Sequence, residues 1–154
     1  MKRMHKAGAA FFVLISTCWP AEELTKERIL AAGQAWRDNY DRYDPPADLV
    51  GILKEHLGTG LTVDVYLGLW CSDSKNNVPP FIKILDRLDA AVPVRYIGVP
   101  RKTARTVPYY VEEFKVERVP TFIFYREGRE IGRIVENPQA GMIEDMLDIV
   151  LKQP

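Results

Sequence analysis

The chain has 154 residues, of which 47% are apolar and 27% are charged, which is enough for one domain with a buried core. Its 21 basic and 21 acidic side chains balance, and the lack of a basic excess excludes nucleic acid as an expected partner. Two cysteines are too few for a cysteine-rich zinc site, and neither histidine has a metal-ligand partner at a useful spacing. We therefore expect no metal and no cofactor.

The first 21 residues have the layout of a secretory signal peptide. Three basic residues precede a short apolar run over residues 7–15, and small residues follow it. The run is too short to span a bilayer as a helix, and no later apolar run approaches that length. We expect residues 1–21 to be the signal of a periplasmic or otherwise exported protein, with residues 22–154 as one mature domain. A loose amphipathic start on a cytosolic protein is the alternative.

Cys18 leaves two outcomes open for the signal. The segment from Ile15 to Cys18 resembles a bacterial lipobox, in which the cysteine is lipidated and becomes the first residue, although Thr17 is a poor match to that pattern. Cleavage near Cys18 or Ala21 by ordinary signal peptidase is the other outcome. Under either one Cys18 is lost or blocked, so that Cys71 is the one free thiol of the mature protein.

The N-terminal extension, residues 22–58, is predicted to hold two helices. In the first, apolar and aromatic residues recur on one helical face over residues 29–43. Asp44 is expected to end that helix and to cap the second, with Pro45 in the first turn. Gly58 is expected to stop the second helix.

From residue 61 onward, apolar runs typical of buried strands alternate with helical patterns. Strands are predicted over residues 61–69, 94–99, 121–125 and 130–135, and helices over residues 78–88, over residues 109–114 and from residue 138 onward. The first two strands are joined through a helix and should be parallel, whereas the last two should form an antiparallel hairpin across Gly128. This order predicts one α/β domain with a mixed sheet of four to five strands flanked by helices.

Cys71 lies where the first predicted strand gives way to a helix. A thiol there faces the unpaired backbone N–H groups and the positive dipole end of the helix, both of which favour the reactive thiolate. Asp73 suits a helix N-terminus but opposes a neighbouring thiolate, and Ser74 can hydrogen-bond either the sulfur or a backbone group. An inert packed cysteine remains the alternative.

The motifs of the second half of the chain occur in an order that one family shares. They are a Trp-Cys pair, a proline eight residues after the cysteine, a Val-Pro-Thr loop and a glycine turn between two strands: Trp70-Cys71, Pro79, Val119-Pro120-Thr121 and Gly128. On these motifs, residues 61–151 resemble the thioredoxin superfamily. A closer resemblance is to bacterial thioredoxin family proteins with a Trp-Cys-x-Asp-Ser motif and an N-terminal helical extension.

The resemblance implies a thioredoxin-like fold with two extra N-terminal helices and a thiol site centred on Cys71 as the catalytic residue. It also implies a cis peptide bond before the loop proline and a loop that lies near the Cys71 sulfur. The supporting residues that it implies are Trp70, Ser72, Asp73, Ser74, Val119, Pro120 and Thr121.

Two departures from the family pattern concern the release of a bound substrate. Ser74 replaces the second cysteine, so Cys71 cannot close an intramolecular disulfide within the domain. The buried aspartate that the family places six residues before the cysteine is replaced by Val65, and Asp64 should point to the other face of the strand. These departures predict monothiol exchange or disulfide isomerisation rather than net reduction.

The expected partners are disulfide- or thiol-containing proteins and a small-thiol reductant. A second hypothesis is a redox-silent peptide-binding module, chaperone or adaptor that holds extended peptides against the cis-proline loop. A third is a glutaredoxin-like monothiol protein that uses glutathione, against which Trp70 and the exported context argue.

Overall fold

The structure, a computed structural model, describes residues 22–101 and 114–152. Its elements in chain order are β1 (Glu22–Leu24), α1 (Lys26–Leu30), α2 (Gln34–Arg42), α3 (Ala47–His56), β2 (Leu61–Leu67), α4 (Ser72–Leu88), β3 (Val94–Gly98), β4 (Thr121–Arg126), β5 (Arg129–Val135) and α5 (Met142–Leu151). The proposed signal with Cys18, and all of the predicted helix at 109–114 except Phe114, lie outside the described residues. Within the described ranges, no helix has both the length and the apolar character needed to span a membrane.

The five strands form one mixed sheet in the order β1-β3-β2-β4-β5. β2 and β3 run parallel and are connected through α4, whereas β4 pairs antiparallel with both β2 and β5. The hairpin between β4 and β5 turns at Glu127 and Gly128, both of which have positive φ. The predicted mixed sheet of four to five strands flanked by helices is confirmed.

β1 is a strand within the N-terminal extension, residues 22–58, where the sequence predicts helices alone. Glu22 pairs with Gly98 and Leu24 with Tyr96, so β1 is an antiparallel edge strand beside β3. Leu24 is buried while Glu22 and Glu23 are exposed. Three residues are too few for a periodic signal, and the strand exists because β3 offers it backbone partners.

The N-terminal extension holds three helices instead of the predicted two. The helix expected over residues 29–43 is interrupted, because α1 ends at Leu30 and α2 starts only after Gly33, which has an extended backbone. The expected cap at Asp44 is also wrong, since α3 starts at Ala47 with Pro46 at the cap position. Pro46 disfavours helical geometry for the residue before it, and this delays the helix.

The main core fills one face of the sheet, between the inward side chains of β2 and the helices. Its β2 residues are Val63, Val65 and Leu67, and every described helix contributes side chains to it. Phe81 of α4 packs against Phe122 of β4 in a tilted arrangement, with ring centroids 5.0 Å apart. Full burial of such a side chain stabilises the fold by about 1.5–3 kcal/mol. The core therefore fixes α4, and with it the start of α4, on the sheet.

Candidate functional site

Cys71 is the N-cap residue of α4, directly after the turn that leaves β2. Its backbone is extended, its N–H donates to the Gly68 carbonyl at 2.9 Å, and its own carbonyl accepts the Lys75 N–H at 3.1 Å. The side chain is partly exposed, and the thiol is free. The strand-to-helix junction therefore presents the sulfur at the start of the helix, as the sequence predicts.

The Val119–Pro120 loop lies against the sulfur. The peptide bond between these residues is cis, and the Cys71 thiol donates to the Val119 carbonyl oxygen with 3.2 Å between Sγ and O. Pro120 and Thr121 are buried, and the Thr121 hydroxyl donates to the Arg118 carbonyl at 2.6 Å. The structure thus brings together the two segments, 48 residues apart, that the resemblance places in one site.

Ser74 is directed into the turn before the helix. It is fully buried, and its Oγ accepts the Gly68 N–H at 3.1 Å. Of the two bonding roles left open for Ser74, the structure shows the one with a backbone group. Ser72 is exposed and Asp73 is partly exposed in the first turn of α4.

Trp70, the residue before Cys71 in the chain, leaves part of its apolar side chain exposed. The residue is 40% exposed, and its indole N–H donates to the Val99 carbonyl at 2.8 Å. The ring packs on Gly68, where an added Cβ would lie 2.8 Å from the nearest ring carbon. The Arg101 guanidinium lies over the ring, 5.5 Å from its centroid.

Polar side chains that the sequence did not single out hold the loop against α4. The Glu136 N–H donates to the Pro120 carbonyl at 2.7 Å, and its carboxylate pairs with Arg118, also at 2.7 Å. Asn77 of α4 donates from its amide to the Glu136 carbonyl and to the Asn137 side chain, both at 2.9 Å. The two Asn77 bonds join segments about 60 residues apart, and no periodicity or motif in the sequence predicts any of these contacts.

Val65 and Asp64 face opposite sides of β2. Val65 is fully buried in the main core, whereas Asp64 is buried on the other face and accepts two hydrogen bonds from Arg95 of β3. These bonds raise the pKa of the Arg95 guanidinium. An open cavity of about 510 Å³ is lined there by Asp64, Arg95 and Tyr125, and its lining does not include Cys71. The ion pair belongs to the β2–β3 pairing and not to the thiol site.

The residues that the structure describes contain no cluster of three or more His, Cys, Asp or Glu side chains placed to hold a metal ion. The chemistry available at the start of α4 is that of one partly exposed thiol hydrogen-bonded to a backbone carbonyl.

Known proteins with similar sequences are thioredoxins. The family model described as thioredoxin matches residues 22–148. A thioredoxin of Chlamydia caviae is 29% identical over 79 residues, which are 51% of this chain and 72% of its own length. A thioredoxin of Chlamydia muridarum is 27% identical over 81 residues, 53% of this chain and 74% of its own.

Two solved structures resemble the whole fold. A Pseudomonas aeruginosa protein of unknown function gives a TM-score of 0.65 at 16% identity and covers 85% of this chain and 92% of its own. An HIV epitope-scaffold gives a TM-score of 0.68 at 18% identity and covers 87% of this chain and 94% of its own. At these identities the two structures show a shared fold and nothing about activity.

Proposed function

Because the chain belongs to the thioredoxin family, whose model matches residues 22–148, we propose that it exchanges thiols and disulfides through Cys71. The observation that carries this proposal is the partly exposed sulfur at the start of α4, 3.2 Å from the Val119 carbonyl. Because Cys71 is only partly buried, a substrate disulfide can approach its thiol, and the neighbouring residue Trp70 is 40% exposed. Thiol- or disulfide-containing proteins are therefore the proposed substrates.

In the proposed first step, Cys71 loses its thiol proton and the thiolate attacks one sulfur of a substrate disulfide. The substrate S–S bond breaks as the bond between Cys71 and the substrate forms. The departing sulfur leaves as a thiolate and takes up a proton. The product is a mixed disulfide between the protein and its substrate.

Release then depends on a thiol from outside the domain, because position 74 carries a hydroxyl. If a third cysteine of the substrate, other than the one just released, attacks the substrate sulfur of the mixed disulfide, Cys71 is regenerated and the substrate disulfide has moved without net oxidation or reduction. If small thiols act instead, two of them end as one disulfide and the substrate is reduced. We propose isomerisation or monothiol exchange as the function.

The test is a comparison of the wild type with Cys71→Ser, which keeps the size of the side chain and a favourable helix cap. The wild type is expected to form a trapped mixed disulfide with a scrambled ribonuclease and to speed its reactivation in a glutathione buffer, and Cys71→Ser to do neither. If the wild-type thiol stays unreactive toward disulfides and alkylating agents up to pH 9, the exchange function is wrong. Binding of unfolded peptides by both proteins would then support the redox-silent module.

We also propose that the protein is exported, either with residues 1–21 removed or with a lipid on Cys18. Support comes from the basic, apolar and small segments in order, and from the family match, which starts at residue 22. Mass spectrometry of periplasmic and membrane fractions should find a chain that lacks the first 17 to 21 residues. A diacyl mass on Cys18 would select the lipoprotein, and an intact Met1 in the cytosol would contradict export.

A further inference from the structure

Pro79 leaves a carbonyl of the active-site helix without its usual donor. Proline has no backbone N–H, so it cannot bond to the carbonyl of Lys75 four residues earlier in α4. The N–H of that same Lys75 closes the first turn by donating to the Cys71 carbonyl at 3.1 Å. The missing bond therefore falls directly after the turn that holds the thiol.

Asn39, in α2 of the N-terminal extension, supplies a donor at this place. Its side-chain Nδ2 lies 2.9 Å from the Lys75 carbonyl oxygen in a partly buried contact. Its Oδ1 accepts from Arg42 at 3.4 Å, and the same Nδ2 also lies 3.4 Å from the Asn76 side-chain oxygen on α4. The side chain thus substitutes for the N–H that Pro79 lacks.

A second contact region fixes α2 along the later turns of α4. The Tyr40 hydroxyl donates to Asp86 at 2.5 Å, and the Lys83 ammonium stands 4.2 Å from the centre of the Tyr40 ring. Because Tyr40 follows Asn39 in the chain, this packing holds the Asn39 amide at a set distance from the Lys75 carbonyl. The donor is preorganised instead of having to be recruited from solvent.

We propose that Asn39 is a positioning residue for Cys71. By bonding the Lys75 carbonyl it holds the first turns of α4 together across the proline, and so keeps the Cys71 sulfur against the Val119 carbonyl. The functional meaning of this role rests on the thiol exchange proposed above. Through Asn39, the N-terminal extension would contribute to the geometry of the thiol site.

The test uses Asn39→Ala and Asn39→Asp, the second of which keeps the shape of the side chain but loses the amide donor. Two readouts are measured: hydrogen exchange of the Lys75 amide, and the rate at which iodoacetamide modifies Cys71 between pH 6 and 9. Both variants should speed Lys75 exchange about three- to tenfold, the factor for loss of one hydrogen bond, and should shift the pH profile of modification. The Asp145 amide, which closes the first turn of α5, is the internal reference.

Two further variants separate positioning from general stability. Gln34→Ala removes an amide on the same helix that bonds to Asp38, and it should change neither readout. Pro79→Ala restores an N–H that can donate to the Lys75 carbonyl, so adding Asn39→Ala to it should have little further effect.

The positioning role is wrong if Asn39→Ala lowers only the melting temperature, or if its effect is equally large when Pro79 is replaced. The exchange rate of the Lys75 amide requires no catalysis. A wild type without disulfide exchange would therefore sink the proposed function, while the Lys75 readout would still decide the role of Asn39.

Discussion

Cys71 and Ser74 are three residues apart on α4 but lie in different surroundings. The sulfur is partly exposed and bonded to a loop carbonyl, whereas the Ser74 hydroxyl is fully buried and bonded to the Gly68 N–H. A hydroxyl accepts such a bond well and a thiol only weakly. The Ser74 hydroxyl therefore stabilises the turn that presents the thiol. A cysteine at position 74 would replace its hydrogen bond to the Gly68 N–H with a much weaker one.

Ser74→Cys is expected to raise the rate of insulin reduction with dithiothreitol, because it creates a Cys-x-x-Cys pair that can release a mixed disulfide. It should also cost about 1–2 kcal/mol of stability, since the buried Gly68 N–H keeps only a weak acceptor. Insulin turbidity and urea denaturation measure the two effects. Ser72→Cys, which adds an exposed thiol at the wrong spacing, is the control. A wild type that already reduces insulin as fast as Ser74→Cys would contradict the single-thiol mechanism.

Gly68→Ala is expected to displace the Trp70 ring, because the new Cβ would lie 2.8 Å from a ring carbon. Such overpacking costs about 1–3 kcal/mol, and the moved ring should alter tryptophan fluorescence and the rate of Cys71 modification. Gly51→Ala is the matched control, since nothing lies within 4 Å of its added Cβ. Because Gly51 lies in the middle of α3, its replacement by alanine should stabilise the folded protein by about 0.5–1 kcal/mol. Equal effects of the two substitutions would show that Trp70 is not held by close packing on Gly68.

The carboxylate of Asp86 connects three helices. Asp86 of α4 accepts hydrogen bonds from Lys26 of α1 at 2.8 Å and from Tyr40 of α2 at 2.5 Å. Burial raises the pKa of Asp86, but the bonds from Lys26 and Tyr40 outweigh it and the net shift is downward. Burial, and next the bond to Asp86, raise the pKa of Tyr40 to about 12. The junction is thus most stable with a charged Asp86 and a neutral Tyr40.

Asp86→Asn should flatten the acid side of the stability curve. Because the pKa of Asp86 is lower in the folded than in the unfolded chain, its contribution is present above about pH 4 and is lost as the pH falls through the folded value. Urea denaturation between pH 6 and 3 should show a smaller loss for the variant than for the wild type. Identical slopes would mean that the carboxylate is not held by its neighbours.

Tyr40→Phe tests the same junction from the alkaline side. A raised pKa means that the contribution of Tyr40 is full below about pH 10 and is lost as the pH rises toward 12. The absorbance titration of tyrosinate should lose a step near pH 12, and stability should fall less steeply above pH 10. If the titration of the variant still contains this step, the step belongs to another tyrosine and the pKa of Tyr40 is not raised to that value.

The N-terminal extension belongs to the same folding unit as the sheet. Ile29, Trp36 and Leu53, from its three helices, are each at most 2% exposed and lie in the main core. A separate module would bury such side chains among themselves. The extension and the thioredoxin-like part should therefore unfold together.

Trp36→Ala is expected to cost about 3–5 kcal/mol, as for other buried aromatic side chains. In the wild type, denaturation followed by Trp36 fluorescence should coincide with denaturation followed by far-ultraviolet circular dichroism. Trp70→Phe provides a background in which fluorescence reports the extension more directly. Loss of the Trp36 signal before the helical signal would show that the extension unfolds on its own.

The sequence predicts best where burial imposes a pattern. The apolar runs that become β2 and β4 are found within two residues of their observed ends, because both strands are buried at the centre of the sheet. The sequence does not predict β1, because pairing of its backbone with a distant strand produces no periodic pattern of apolar residues. The interruption at Gly33 is also not predicted, because it is too short to disturb the helical pattern. The approach of Val119 to Cys71 was expected only from the family resemblance. The Asn39 and Asn77 contacts join distant segments through single side chains, which composition and spacing do not encode.

The direction of β1 has a consequence for the proposed lipid anchor on Cys18. Glu22 is paired with Gly98 at the carboxyl end of β3, and Cys71 follows the carboxyl end of the parallel strand β2. The chain before Glu22 therefore leaves the sheet at the same end as the thiol. A lipid on Cys18, four residues earlier, would hold that end within about 14 Å of its anchor point. With the proposed lipid in place, the thiol end of the sheet would therefore be the end nearer to the bilayer.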